Sequence, residues 1–196
     1  MSLAPFLQSS RYIDSDHPLI RKTADDLRLG TQTQLDVARA CFEFVRDEVQ
    51  HSWDHKKNPV TCRASDVLIH RTGYCYAKSH LLAALLRANG IPAGLCYQRL
   101  SVGDSGAPYC LHGLNAVYLD DFGWYRLDAR GNKPGVDARF CPPIEALAFA
   151  IRSDQERDLP EIWAGPLPQV IDTLENAENI EQVAANLPDV LLWGQR

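Results

Sequence analysis

The sequence predicts an α+β fold with helices first and antiparallel strands after them. Three observations carry this. Apolar residues recur at steps of three and four up to Ala88, the period of helices. After Asn89-Gly90-Ile91-Pro92 the pattern changes to short alternating runs rich in Tyr, Val and Leu, the mark of strands. Asp120-Asp121-Phe122-Gly123 joins two of those runs as a hairpin turn. Helices segregated from an antiparallel sheet define the α+β class.

Taken in order, residues 1–16 read as an irregular lead-in. Asp16-His17-Pro18 starts a helix, with Pro18 in the first turn and Leu19, Ile20, Ala24 and Leu27 on its apolar face. Thr33 caps the next, whose stripe is Leu35, Ala38, Phe42, Val45 and Val49. Gln50 to Pro59 is polar and reads as a loop, and Ala64 to His70 as a short helix. Cys75 to Ala88 is apolar almost all round, so its helix belongs in the core. Gly73 lets the chain bend before it, and Asn89-Gly90 stops it. Strands follow at Ala93–Leu100, His112–Leu119, Trp124–Asp128 and Val136–Phe140, with Gly103–Pro108 and Arg130–Gly135 as loops. Ile144 to Ile151 fits helix or strand. Val170–Asn176 and Glu181–Asn186 read as short surface helices.

The chain has 196 residues, 45% of them apolar and 23% charged, as in one globular domain with a sizeable core. A net charge of −5 lacks the basic patch that nucleic acid or an anionic membrane requires. No apolar run approaches the ~18 residues of a membrane span. The start lacks the basic and apolar regions of a signal peptide. Six irregularly spaced cysteines then suggest reduced thiols and a cytoplasmic protein. Cys110-Leu111-His112 has no C-x-x-C or H-x-x-x-H companion, so no metal site is expected. Gly103 to Gly106 lacks a P-loop pattern, and no cofactor is expected.

Cys75 lies at the mouth of the central helix. A thiol in a first turn faces unpaired N–H groups and the positive end of the macrodipole, and both favour the thiolate. The same N–H groups suit a developing oxyanion. The competing reading is a small buried hydrophobe, the usual fate of a free cysteine. His112 opens one strand of the hairpin and Asp128 closes the next. A nucleophilic thiol wants an imidazole, and the imidazole a carboxylate. Their separation of 16 places both on one face only if the turn holds an odd number of residues or a bulge intervenes. His80, Cys41 and Cys96 read as structural.

Gly73-Tyr74-Cys75 leading a helix, Asn89-Gly90-Ile91-Pro92-Ala93 after it, His112, and Gly123-Trp124-Tyr125-Arg126-Leu127-Asp128 resemble, in that order and spacing, the transglutaminase-like superfamily. The resemblance runs from about Phe44 to Asp128. It implies a papain-like fold, with the cysteine-bearing helix packed on an antiparallel sheet. The layout expected is one domain over residues 1–196, with a core at about 34–141 and an extension at 142–196. By position the resemblance makes Cys75 nucleophile, His112 general base and acid, and Asp128 the orienting carboxylate. Leu114 stands where many members have an aromatic residue, and Ala129-Arg130 replaces their Pro-Thr. Trp53, His51 and Gln50 lie where the family often places pocket residues, although each reads as ordinary loop or packing. The chemistry implied is acyl transfer through a thioester on a peptide or amide, protein side-chain amides included. Hydrolysis is the first reading, transamidation the second, and a non-catalytic binding scaffold the reading from another class.

Overall fold

The computed structural model describes residues 2–103 and 106–190. A 3₁₀ turn, Ala4–Leu7, lies within the lead-in expected to be irregular. Helix α1, Pro18–Arg28, starts at an N-cap His17 whose ring nitrogen accepts the Leu19 N–H. Helix α2, Gln34–Glu48, carries the full capping box between Thr33 and Asp36. The stretch 50–55 departs from the loop reading. Gln50–His51 forms β1, paired in parallel with β2, Thr72–Gly73, and Ser52–His55 is a helical turn, α3. Long-range pairing to residues 72–73 decides this, and no local periodicity reports it. Helix α4, Ala64–His70, then leads through β2 into α5, Cys75–Ala88.

Thirteen of the fourteen residues of α5, Cys75 through Arg87, are buried. Leu81, Leu82, Leu85 and Leu86 have no exposed surface. Each contributes roughly 2 kcal/mol by leaving water. The helix packs between α1, α2 and α4 on one side and the sheet on the other. It ends where Gly90 takes a φ of 73°.

Strands β3, Ala93–Gly103, and β4, Gly106–Leu119, are longer than predicted and pair antiparallel from Ala93 opposite Val117 to Ser101 opposite Tyr109. Strand β5, Gly123–Leu127, follows. Beyond it lie β6, Arg139–Cys141, paired with β7, Ile144–Ala146, so the ambiguous stretch at 144 begins as strand. Strand β8, Arg157–Asp158, returns to β3, which makes the main sheet order β5-β4-β3-β8. Helices α6, Pro168–Glu175, and α7, Ile180–Ala185, bury Val170, Ile171, Leu174, Ile180 and Val183 against the rest. The sheet has two covered faces. Val117 and Leu119 join the helical core, whereas Leu114 and Ala116 pack with Cys96, Trp124, Leu147 and Ile162.

Candidate active site

Cys75 is the first residue of α5, with Tyr74 as an N-cap that makes no side-chain capping bond. The first-turn N–H groups are therefore not claimed by that cap. Gly73 serves the approach differently from the sequence reading. Its φ is not in the left-handed region, and its role is closeness: a Cβ there would lie 3.2 Å from Ala77 Cβ and 3.3 Å from Thr61 Oγ1. Gly113 does the same on β4, where a Cβ would come 2.8 Å from the Tyr76 ring and 3.2 Å from Tyr76 Cα. Gly113 thus lets the first turn of α5 sit directly on β4, and Gly73 lets the entering chain pack against that same turn. The Tyr76 hydroxyl donates to the Leu111 carbonyl and holds it there.

The hairpin brings His112 and Asp128 together. Register runs from Leu119 opposite Gly123 to Asn115 opposite Leu127. Three residues, Asp120, Asp121 and Phe122, form the odd connection, and Gly123 supplies the positive φ of 72° that closes it. Positions 112 and 128 then share a face as diagonal neighbours, about 7–8 Å apart at the backbone. The imidazole spans that offset: His112 Nε2 lies 2.7 Å from Asp128 Oδ2. Cys75 lies close enough to the ring to favour its charged form. The His112 and Asp128 side chains are 6% and 0% exposed. Asp128 also accepts the Arg130 N–H at 3.1 Å and the Ala148 N–H at 3.2 Å. Phe149 sets its ring edge-on to His112 at 4.9 Å.

Charge follows from this packing. Burial, the largest influence on His112, disfavours its cation, but Asp128 and Cys75 outweigh it and push the imidazole up to about 10. Burial likewise opposes the Asp128 anion, yet His112 and the two backbone N–H groups hold that carboxyl below its ordinary range. Asp128 and Cys75 thus both favour the protonated ring.

A cavity of about 720 Å³ opens onto Cys75 and His112. His51, Trp53, Asp54, Tyr74 and Arg130 line it near α3, and Leu100, Tyr109, Phe149, Glu156 and Leu187 line other walls. His51 and Trp53 lie on β1 and α3 rather than in a loop, and, although both are packed, the β1–β2 pairing carries them to the cavity wall. Gln50 stays exposed and caps nothing in the site. Burial and then the Arg130 guanidinium keep His51 well below its ordinary value, so it stands neutral. Burial alone would raise Asp54. Its bonds to Arg130, 2.6 Å away, and Lys133, 2.8 Å away, hold its carboxyl well below the usual range instead. Phe149 and Ala148 come from a stretch with little local signal, and only tertiary contact reveals them. His80 is buried with Nδ1 2.7 Å from the Cys62 carbonyl, and Cys41 and Cys96 are buried. Among the described residues no group of three or more His, Cys, Asp or Glu is arranged to hold a metal, and no helix is long and apolar enough to cross a membrane.

A cysteine at the head of a buried helix, laid on an antiparallel sheet that carries a histidine and a carboxylate, is the papain-like α+β layout. The chain belongs to the transglutaminase-like superfamily, whose core model, Transglut_core, matches residues 21–129. Among solved structures it is similar to a candidate cysteine protease from Cytophaga hutchinsonii, at 25% identity and a TM-score of 0.52, covering 65% of this chain and 42% of that one. It is also similar to the periplasmic domain of TgpA from Pseudomonas aeruginosa, at 23% identity and a TM-score of 0.49, covering 63% of this chain and 46% of that one. The chain thus spans less than half the length of either structure. No curated protein matches it.

Proposed function

We propose that the chain is a thiol acyl-transfer enzyme that cleaves amide or peptide bonds, with Cys75 as nucleophile, His112 as general base and acid, and Asp128 as the group that orients the imidazole. The observation that carries this is the His112–Asp128 pair, 2.7 Å apart, with His112 and Cys75 side by side on the wall of one cavity.

His112 holds the thiol proton as the imidazolium, leaving a thiolate at the helix mouth. The thiolate attacks the substrate carbonyl carbon. The first-turn N–H groups of α5 suit the oxyanion that forms. The tetrahedral intermediate collapses as His112 gives its proton to the departing amine, which leaves a thioester on Cys75. His112 then takes a proton from water, the hydroxide attacks the thioester, and the acid departs as the thiolate re-forms with the imidazolium. Asp128 keeps the Nε2 proton in place and supports the positive ring throughout. An amine in place of water would make the same intermediate a transamidation. The cysteine-protease naming of the Cytophaga structure supports hydrolysis. A binding scaffold needs no such hydrogen-bonded set, which counts against that reading. The irregular spacing of the six cysteines supports a reducing, cytoplasmic setting.

The deciding experiment is acyl-enzyme trapping. The protein is quenched in acid after mixing with a library of peptides and glutamine amides, and Cys75 is examined by mass. An acyl adduct on Cys75, released as acid, supports the hydrolase. Release as a new amide with added amine supports transamidation. No adduct from any member overturns the enzyme reading in favour of a scaffold.

A further inference from the structure

Residues 187–190 have no part in the reaction above, yet they lie against the site. β4 pairs with β3 along 109–117 but with β5 only from Asn115 onward. On β3, Leu95 and Tyr97 bond outward, to Trp163 and Leu159, so the alternation of an antiparallel ladder turns their partners, Asn115 and Gly113, outward as well. Leu111 follows the same alternation. Positions 109–113 therefore turn backbone groups to an edge that no strand pairs; the Tyr76 hydroxyl takes the Leu111 carbonyl, and the Leu111 N–H is left for an extended chain.

Residues 187–190 of this chain lie against it. The Leu111 N–H donates to the Pro188 carbonyl at 2.7 Å. Leu187 lines the cavity that contains Cys75. Both Asp189 oxygens engage one guanidinium, at 2.7 Å from Arg99 Nε and 2.8 Å from Nη2. Arg99 is itself prepared for this. It is 8% exposed, its Nη1 is fixed by the Gln155 carbonyl at 2.6 Å, and it lies over the Tyr109 ring at 4.1 Å. A backbone bond, an apolar side chain in the cavity and a forked carboxylate contact together make up a mode of peptide recognition.

We propose that the β4 edge at Leu111, the Leu187 side of the cavity and Arg99 form a peptide channel for an extended segment with an apolar residue followed two positions later by a carboxylate, and that residues 187–190 occupy this channel in the resting chain. The proposal rests on the thiol acyl-transfer reading only in making the bound peptide a substrate. Binding itself needs no catalysis.

The test uses the full chain carrying Cys75→Ala and a fluorescent capped peptide, Asn-Leu-Pro-Asp-Val, followed by anisotropy. Adding Asp189→Asn weakens the resident strap while Arg99 stays intact, and peptide affinity should rise about tenfold, the scale of one charge-assisted contact. Adding Arg99→Gln to that protein should remove the gain, and so should Asn in place of Asp in the peptide. Leu187→Ser, which loosens the strap at another point, gives the same comparison if Asp189→Asn impairs folding. Equal affinity with and without the loosened strap overturns the proposal, as does a double variant that binds as tightly as the single one. Peptide binding that follows this pattern, without any acyl adduct on the unsubstituted Cys75, leaves the channel standing and removes only the catalytic reading.

Discussion

Asp128→Asn removes one charge and keeps the shape. The native carboxylate accepts three N–H groups, from His112 at 2.7 Å, Ala148 at 3.2 Å and Arg130 at 3.1 Å, and uses both oxygens to do so. An amide offers one oxygen. At least one buried N–H therefore meets an NH₂ group, at a cost of about 1–3 kcal/mol. The imidazolium also loses its nearest counter-charge. Burial then dominates, and His112 titrates far below its native position. The rise of His112 from 6.5 to about 10 represents at most about 5 kcal/mol of native stability. A raised pKa places this contribution fully below 6.5 and removes it as pH climbs through about 10. The lowered Asp128 sets the acid limit, where the contribution is lost as pH falls through the carboxyl's depressed native range. Lys78, lowered to about 7 chiefly by burial, gains stability over part of the same alkaline interval. The informative quantity is thus the difference between wild type and variant, measured by urea denaturation across the pH range. That difference should be about 3–5 kcal/mol near neutrality, the scale of a broken buried pair. It should shrink to the cost of the unpaired N–H at the alkaline end. Acyl-enzyme formation should fall by about 10³–10⁴ through the wrong tautomer. A difference that stays flat with pH would show that the two groups are not coupled in the folded protein and would refute the argument.

Other outcomes follow from the same geometry. Cys75→Ala should fold with nearly native stability and form no acyl adduct, since the thiol is small and its partners are built elsewhere; native turnover in the folded variant contradicts the thioester route. Gly113→Ala should destabilise by about 1–3 kcal/mol and slow acylation, because its Cβ would press on Tyr76 and lift the first turn of α5 from β4; urea denaturation and acylation kinetics together check both effects. Limiting iodoacetamide at neutral pH should label Cys75 and exposed Cys141 ahead of Cys41, Cys62, Cys96 and Cys110, whose thiols burial pushes up to about 12; peptide mapping reads the order, and labelling of Cys75 that is unchanged by His112→Ala would deny their pairing. Protein purified without reductant should show six free thiols by mass, and a cystine would count against the cytoplasmic proposal.

The sequence by itself determined the class and the principal elements. Local signals suffice for these: a capping Thr33, an almost all-apolar stretch from Cys75 to Ala88, and a hairpin turn at Asp120 to Gly123. They also singled out Cys75 at the head of its helix and Asp128 just past β5, whereas His112, which the pattern places at the start of a strand, lies inside β4. The contact between His112 and Asp128 depended on register, which parity narrows to a choice and only the folded hairpin resolves. The rest came from pairings distant in the chain. Gln50–His51 carries α3 to the cavity because it meets Thr72–Gly73, and a polar run of that length shows no such partner. Ala148 and Phe149 reach the site, and Pro188 reaches Leu111, across separations that no periodicity records. Side-chain periods report which face of an element is buried. What that face meets is decided by three-dimensional packing, and in this protein that packing closes the site.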